Sequence, residues 1–256
     1  MVNMIESHLL LTRLKRRIAA LAPPAGTGRA SRVSFGIAAL DTRLEGGLAR
    51  GAVHEVVPES GADIASASAF ALMMAARAAE VERPILWITR DARVRREGVP
   101  YGPGVAALGL RPEQVMLVHV ADERAALKAA GDALACAGLA AALIDMGDAK
   151  RLDLTASRRL ALASAQSGVT AFVLRTGSSM IASAAASRWQ VASAPSVPLP
   201  GHAPGQTCLA LSLLRHRGGV PPFNILVEWN HDDRVFREPA LLRRLSTPIE
   251  RRQLAA

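Results

Sequence analysis

Lysine, cysteine and aromatic residues are scarce in this sequence of 256 residues. Aromatic residues make up 4% of the chain, which leaves few rings for stacking on nucleic-acid bases. No stretch approaches the roughly 18 uninterrupted apolar residues of a membrane-spanning helix, so we expect no membrane span. The six histidines have no HExxH or other metal-ligand spacing, and no serine lies in a GxSxG elbow. We therefore expect no metal site, no cofactor and no serine nucleophile.

The two cysteines, Cys136 and Cys208, have no CxxC neighbour. We expect buried structural thiols in a reducing cytosol, rather than a disulfide, a metal site or a nucleophile. Near the N-terminus an acid and a histidine precede the first apolar stretch, and Lys15, Arg16 and Arg17 follow it. That order is the reverse of a secretory signal, so a cytoplasmic location is expected.

The chain is 50% apolar and 21% charged, which is typical of a soluble globular protein with one large domain or two small ones. Its formal net charge is +9, and only three of its 31 basic residues are lysines. Guanidinium groups bind phosphates and carboxylates with two parallel bonds, so the arginine excess favours a polyanion or an acidic protein surface as partner. The alternative cause is a GC-rich genome that prefers arginine codons.

The N-terminal segment has apolar residues at helical spacing over residues 4–21, which predicts an amphipathic helix. Pro23-Pro24 ends this helix, and Ala22–Arg32 reads as a linker. We expect three parts: an arm at 1–32, a core at 33–240 and a basic tail at 241–256. The arm is expected to serve self-association, with packing on its own domain or a free arm as alternatives.

The core alternates short apolar runs with longer helical ones, which predicts an α/β fold with a mostly parallel sheet. Four continuously apolar runs are expected to be central strands buried on both faces. A loop is expected after Thr89, up to Ala107. A helix is expected at Ser179–Ala186. Three later segments are expected to be antiparallel edge strands. The central runs are Ile85–Ile88, Leu117–Val120, Leu143–Ile144 and Ala171–Leu174, and the edge strands are Thr207–Leu214, Phe223–Trp229 and Arg234–Phe236.

The first strand-to-helix turn of such a sheet is where a phosphate loop is expected. The order Leu40-Asp41, Gly46-Gly47-Leu48, His54-Glu55-Val56 and Pro58-Glu59-Ser60 resembles the opening of the RecA ATPase core. The resemblance implies a RecA-like three-layer fold, with antiparallel C-terminal edge strands and an N-terminal helical arm. The corresponding loop comprises Val57, Pro58, Glu59, Ser60, Gly61, Ala62, Asp63 and Ile64.

This loop lacks the residues with which the RecA family binds nucleotide. Carried over, the two loop glycines fall on Val57 and Ala62, the lysine on Asp63 and the magnesium-binding hydroxyl on Ile64. A carboxylate about 5 Å from a phosphate charge costs about 3 kcal/mol at an effective dielectric near 20. We therefore expect a degenerate nucleotide loop, in which Asp63 is the N-cap of a helix over 64–79.

Two further acids match family positions. Asp145 ends an apolar run at the Walker B position, and Asp91 lies near the position of the catalytic glutamate. Without a triphosphate loop, a carboxylate at a strand end is more often a capping or ion-pairing residue, which is the reading we favour.

The segment Leu214-Arg215-His216-Arg217-Gly218-Gly219 resembles a basic segment of bacterial RadA-type RecA relatives. The arginines form a candidate surface for DNA phosphates or a protein partner, and local pairing at a solvated strand end is the alternative. The tryptophans are expected in the core. The candidate contacts are Arg188, Arg215, Arg217, Arg243 and Arg244.

The combination of these segments with Ser187-Arg-Trp189 and Glu228-Trp229 is similar to one RecA-like branch, the ImuA family of damage-inducible mutagenesis proteins. The resemblance implies a non-catalytic accessory protein of the SOS response that acts in translesion DNA synthesis and DNA repair. Its implied partners are an inactive Y-family polymerase homologue (ImuB) and an error-prone DnaE-type polymerase, with RecA and single-stranded DNA as further candidates. A SulA-like division inhibitor and an active RecA-type ATPase remain as alternatives.

Overall fold

The computed structural model describes residues 31–79, 83–148, 152–176, 182–203 and 205–239. The helix predicted over 4–21, the tail at 241–256, Arg243 and Arg244 lie outside these residues. Strands in the described ranges are β1 (Arg32–Val33), β2 (Leu48–Ala49), β3 (Val53–Pro58), β4 (Ile85–Arg90), β5 (Val115–Val120), β6 (Ala141–Gly147), β7 (Thr170–Arg175), β8 (Ser187–Ala194), β9 (Cys208–His216), β10 (Phe223–Asn230) and β11 (Val235–Arg237). Helices are α1 (Ala38–Arg43), α2 (Ile64–Ala78), α3 (Asp91–Glu97), α4 (Gly102–Ala107), α5 (Glu123–Ala135) and α6 (Leu154–Ser167).

A nine-stranded sheet with the order β11-β10-β9-β8-β3-β7-β6-β4-β5 organises the fold. Strands β8, β3, β7, β6, β4 and β5 are parallel, whereas β9 to β11 extend the sheet as antiparallel strands. The predicted α/β class, the mostly parallel sheet and the antiparallel C-terminal strands are confirmed. The arrangement is that of a RecA-like three-layer fold.

The two faces of the sheet bury separate apolar cores. One core joins α2 to Phe35, Trp189, Trp229 and Phe236, and the other joins α5 and α6 to alternate residues of the parallel strands. Adjacent strand residues therefore serve different cores: Trp87 belongs to the first and Ile88 to the second. All three tryptophans are buried, as predicted.

Local hydrogen bonds explain where the helices of the second core begin and end. Asp122 and Asp153 are N-caps whose carboxylates accept from the main-chain nitrogens of Ala125 and Ala156, at 2.8 and 2.7 Å. Helix α6 ends at Ser167 and is followed by Gly168, whose φ of 78° is a left-handed conformation that favours glycine.

The motif residues near the start of the core have structural roles. Asp41 accepts from the nitrogen of Phe35 at 2.7 Å and from the hydroxyl of Ser34 at 2.7 Å. Gly47 has a φ of +113°, and a Cβ there would lie 2.1 Å from the carbonyl oxygen of Val33. Only glycine fits that position, which accounts for the Gly-Gly-Leu sequence.

Four predictions about the core are wrong. The stretch between Thr89 and Ala107 was predicted as a loop but contains the short helices α3 and α4. Residues 182–186, predicted as part of a helix, are irregular. Strand β5 was predicted to be a central strand but lies at the end of the sheet. The prediction failed because its apolar composition is the same as that of a central strand. Cys136 is exposed because it follows the last turn of α5, whereas Cys208 is buried as predicted.

Candidate functional site

The loop at the nucleotide position is closed by its own side chains. Strand β3 ends at Pro58, a 3-10 turn covers Gly61–Asp63, and α2 begins at Ile64. The hydroxyl of Ser60 donates to Asp63 Oδ2 at 2.6 Å and accepts from the nitrogen of Ala62 at 3.2 Å. A main-chain donor at the helix entrance is therefore already used inside the loop.

The side chain of Asp63, the residue before α2, binds strand β8. Asp63 occupies the N-cap position of α2, as predicted, but its side chain makes no cap hydrogen bond to the helix. Its Oδ1 accepts from the nitrogen of Ser193 at 2.9 Å and from the Ser193 hydroxyl at 3.1 Å. The hydrogen bond from Ser60, followed by that from the Ser193 main chain, lowers the pKa of Asp63 below its ordinary value, so this residue is a carboxylate at neutral pH.

A cleft of about 750 Å³ opens between this loop, α2, the end of β4 and the α3–α4 segment. Its lining is mostly apolar and includes Leu72, Trp87 and Tyr101. Arg93 and Arg96 are the basic residues of the lining. Both arginines contact Glu97, at 2.8 and 2.6 Å, so their charge is partly neutralised within α3.

Asp145 lies at the end of β6, inside a group of arginines. It is fully buried, and its Oδ1 accepts from the nitrogen of Gly147 at 3.1 Å. Arg90 and Arg93 place guanidinium nitrogens 3.9 and 3.6 Å from its carboxylate oxygens. This geometry is that of a buried ion-pairing residue. Asp91 lies in the first turn of α3.

A second buried charge cluster, missed by the sequence prediction, lies in the middle of the sheet. Glu55 on β3 accepts from Arg175 on β7 at 2.9 Å and from Arg188 on β8 at 2.6 Å. Arg188 is 6% exposed, so its prediction as a DNA or partner contact is wrong: its guanidinium serves Glu55. The only sequence signal was an acid within the apolar run of β3.

Arg215 and Arg217 bind the segment that leads into β8. Arg215 donates to the carbonyl oxygens of Ser183 and Ala185, both at 2.9 Å, and Arg217 donates to that of Ala184 at 3.2 Å. Arg215 is half-buried, whereas Arg217 is exposed. Of the candidate contacts in the described residues, Arg217 is the one with an exposed side chain.

His54 on strand β3 is buried. Its Nε2 lies 2.9 Å from the carbonyl oxygen of Ala49, and its Nδ1 lies 2.7 Å from the hydroxyl of Ser187. A carbonyl only accepts, so Nε2 carries the proton and Nδ1 accepts from Ser187. Burial lowers the pKa of His54 to about 4, so the ring is neutral.

Among the residues that the structure describes, no group of three or more histidine, cysteine, aspartate or glutamate residues is placed to hold a metal ion. A search of the helices in the same residues finds none with the length and apolar character of a membrane span.

No family model matches the chain. Protein ImuA from two strains of Caulobacter vibrioides, NA1000 / CB15N and ATCC 19089 / CIP 103742 / CB 15, is 33% identical to this chain over 222 residues. The matched region covers 80% of this chain and 87% of each relative. Because a relative of this similarity is matched over most of both sequences, the chain belongs to the ImuA family.

Proposed function

We propose that this protein is a non-catalytic accessory protein of SOS-induced translesion DNA synthesis and mutagenesis. It acts in the cytoplasm with an ImuB-type polymerase homologue and an error-prone DnaE-type polymerase, and RecA is a further candidate partner. Membership of the ImuA family supports this proposal, because the resemblance of the chain to that family implies a role in damage-inducible mutagenesis. The organisation that goes with it is an arm at 1–32 for assembly, a core at 33–240 and a basic tail at 241–256.

The observation that carries the non-catalytic part is the position of Asp63. Its carboxylate stands in the loop where the RecA family has a lysine, and Ser60 and Ser193 hold it there. At about 5 Å and an effective dielectric near 20, such a carboxylate opposes a phosphate charge by about 3 kcal/mol. Ile64 offers no hydroxyl to magnesium. The loop therefore serves the architecture of the sheet rather than nucleotide binding.

The DNA-facing part of the proposal rests on arginines. Arg217 is exposed beside the entrance to β8, and the basic tail contributes Arg243 and Arg244. Arginines without an aromatic platform bind the phosphates of single-stranded DNA without sequence preference. Such binding would hold the protein near a stalled replication site.

Two experiments test the proposal. The purified protein is expected to hydrolyse no ATP above background, with or without single-stranded DNA; turnover stimulated by DNA would support the RecA-type ATPase instead. Affinity capture from DNA-damaged cells is expected to recover the two polymerase subunits. Filamentation on expression, without a change in damage-induced mutation rate, would support the SulA-like division inhibitor.

A further inference from the structure

The cleft beside the degenerate loop is not used by the proposed function. Its volume of about 750 Å³ lies in the range of about 300–1,000 Å³ that is typical of sites for small organic molecules. Apolar side chains from α2, β4 and α4 form most of its wall. Val99 and Tyr101, between α3 and α4, also line it and are 52% and 74% exposed. An open apolar wall of this size favours the apolar body of a ligand.

Two buried donors in the wall of the cleft lack hydrogen-bond acceptors. Trp87 is 7% exposed and the Arg93 side chain 10%, yet the indole Nε1 and the guanidinium Nη1 have no hydrogen-bond partner in the described part of the chain. The other nitrogens of Arg93 are used, since Nε donates to Glu97 at 2.8 Å and Nη2 to the hydroxyl of Ser68 at 2.7 Å. Buried donors without acceptors are costly, so an acceptor supplied by a ligand would stabilise this wall.

The charged side chains around the cleft leave one positive charge in excess. Arg93 and Arg96 are the basic residues of the lining, and Glu97 is its acid. Asp145 lies 3.6 Å from a guanidinium nitrogen of Arg93 and 3.9 Å from one of Arg90. Three guanidiniums are therefore grouped with two carboxylates. One excess positive charge is complementary to a ligand with a single acidic group, and it is too little to balance a triphosphate.

We propose that this cleft binds a small amphipathic acid, a molecule with an aromatic apolar body and one carboxylate group. The carboxylate accepts hydrogen bonds from Arg93 and Arg96, and the apolar body lies against Trp87 and Tyr101. A nucleotide fits less well, because the adjacent loop holds the carboxylate of Asp63 where phosphates need a cation. The role in translesion synthesis does not require this ligand, so the two proposals stand or fall separately.

The test uses the full chain and two probes with the same rings, 2-naphthoate, which carries a carboxylate, and 2-naphthamide, which is neutral. Calorimetry is expected to show saturable binding of naphthoate, about tenfold tighter than that of naphthamide. Ala65→Trp is expected to weaken binding of both probes by about tenfold or more, because Ala65 is an exposed residue of the cleft wall and an indole there fills the space of the ligand. Ala165→Trp is the control, because Ala165 is also exposed but lies on α6, outside the lining. It is expected to bind both probes as the unmodified protein does.

Arg93→Met is expected to remove the preference for naphthoate over naphthamide, because the guanidinium binds the carboxylate rather than the rings. Its control is Arg95→Met, since Arg95 is exposed on the same helix and lies outside the lining. Circular dichroism checks that each variant is folded, and Ala65→Trp decides the test if Arg93→Met misfolds. Five outcomes would overturn the proposal: no saturable binding of naphthoate, equal affinity for the two probes, unchanged binding in Ala65→Trp, a preference retained in folded Arg93→Met, or displacement of naphthoate by ATP, which would identify a nucleotide site.

Discussion

Asp63 accepts two hydrogen bonds from Ser193, one from its main-chain nitrogen at 2.9 Å and one from its hydroxyl at 3.1 Å, although the residues are 130 positions apart. The loop that follows β3 is thereby fastened to β8, the next strand of the sheet. By the resemblance to the RecA family, the position of Asp63 corresponds to that of the family's phosphate-binding lysine. Here the same position carries a structural anion.

Asp63→Lys alone is expected not to create ATP binding, because Val57, Ala62 and Ile64 still deny the nucleotide its glycines and its magnesium ligand. Loss of the Ser193 bonds is expected to lower the free energy of unfolding by about 1–3 kcal/mol. Calorimetry with ATP and urea unfolding measure the two effects. Glu59→Lys is the control, since Glu59 is exposed in the same loop. Micromolar ATP affinity in the unmodified protein would contradict the degenerate-site interpretation.

Glu55→Gln is expected to destabilise the protein by about 3–5 kcal/mol, because two buried guanidiniums, of Arg175 and Arg188, lose their counter-charge. Chemical denaturation measures the change. The control is Glu45→Gln, which removes an ion pair to Arg32 whose acid is 72% exposed, and we expect a change below about 1 kcal/mol. Similar values for the two variants would contradict the importance of burial.

Burial of His54 predicts a specific pH dependence of stability. Its pKa is about 4 in the folded protein and 6.5 ordinarily, so below pH 6.5 the unfolded chain takes up a proton that the folded protein refuses. This contribution is fully present above pH 6.5 and is lost as the pH falls towards 4, by about 3 kcal/mol in total. The positive charge of Arg32 adds to the opposition to protonation. Urea unfolding from pH 4.5 to 7.5 is expected to show a smaller decline for His54→Gln, and identical declines would contradict the prediction.

Arg215 and Arg217 are expected to differ on substitution by alanine. Arg215→Ala removes two bonds to the 183–185 segment and is expected to reduce stability by about 1–3 kcal/mol. Arg217→Ala is expected to weaken single-stranded DNA binding equally on all sequences and to flatten the slope of log K against log salt by about 0.7. Replacing both is expected to flatten it by roughly 1–1.5 units if both reach phosphates. Unchanged DNA affinity with lost partner binding would assign these arginines to a protein interface.

The two thiols are expected to react at very different rates. Burial, followed by the charge of Glu228, raises the pKa of Cys208 to about 11, so about one thiol in a thousand is ionised at pH 8. Cys136 is exposed. An aromatic disulfide reagent at pH 8 is expected to titrate one thiol rapidly in the native protein and two after denaturation. Cys136→Ser is expected to remove the rapid reaction, and Cys208→Ser to leave it unchanged.

The sequence predicts the parallel sheet well because strands buried on both faces must be apolar throughout, as in Leu143–Ile144 and Ala171–Leu174. Strand β5 has the same composition, so its place at the sheet edge could not be read from it. The charge clusters were missed for a related reason. Glu55 meets Arg175 and Arg188 at separations of 120 and 133 residues, and Asp63 meets Ser193 at 130, distances over which residue spacing carries no information.

The hydrogen bond from the nitrogen of Phe236 to the carbonyl oxygen of Phe35 joins β11, the last strand of the described core, to the segment that follows β1, the first strand. During synthesis, the segment with Phe35 leaves the ribosome on the order of 10–40 s before Phe236 does, at translation rates of about 5–20 residues per second. Throughout that interval Phe35 lacks one of its aromatic neighbours, and once β10 has emerged its outer edge stays open until β11 follows. The nascent chain therefore passes through a stage in which apolar surface is exposed and a chaperone can bind it. This stage ends when the three-residue strand β11 is complete.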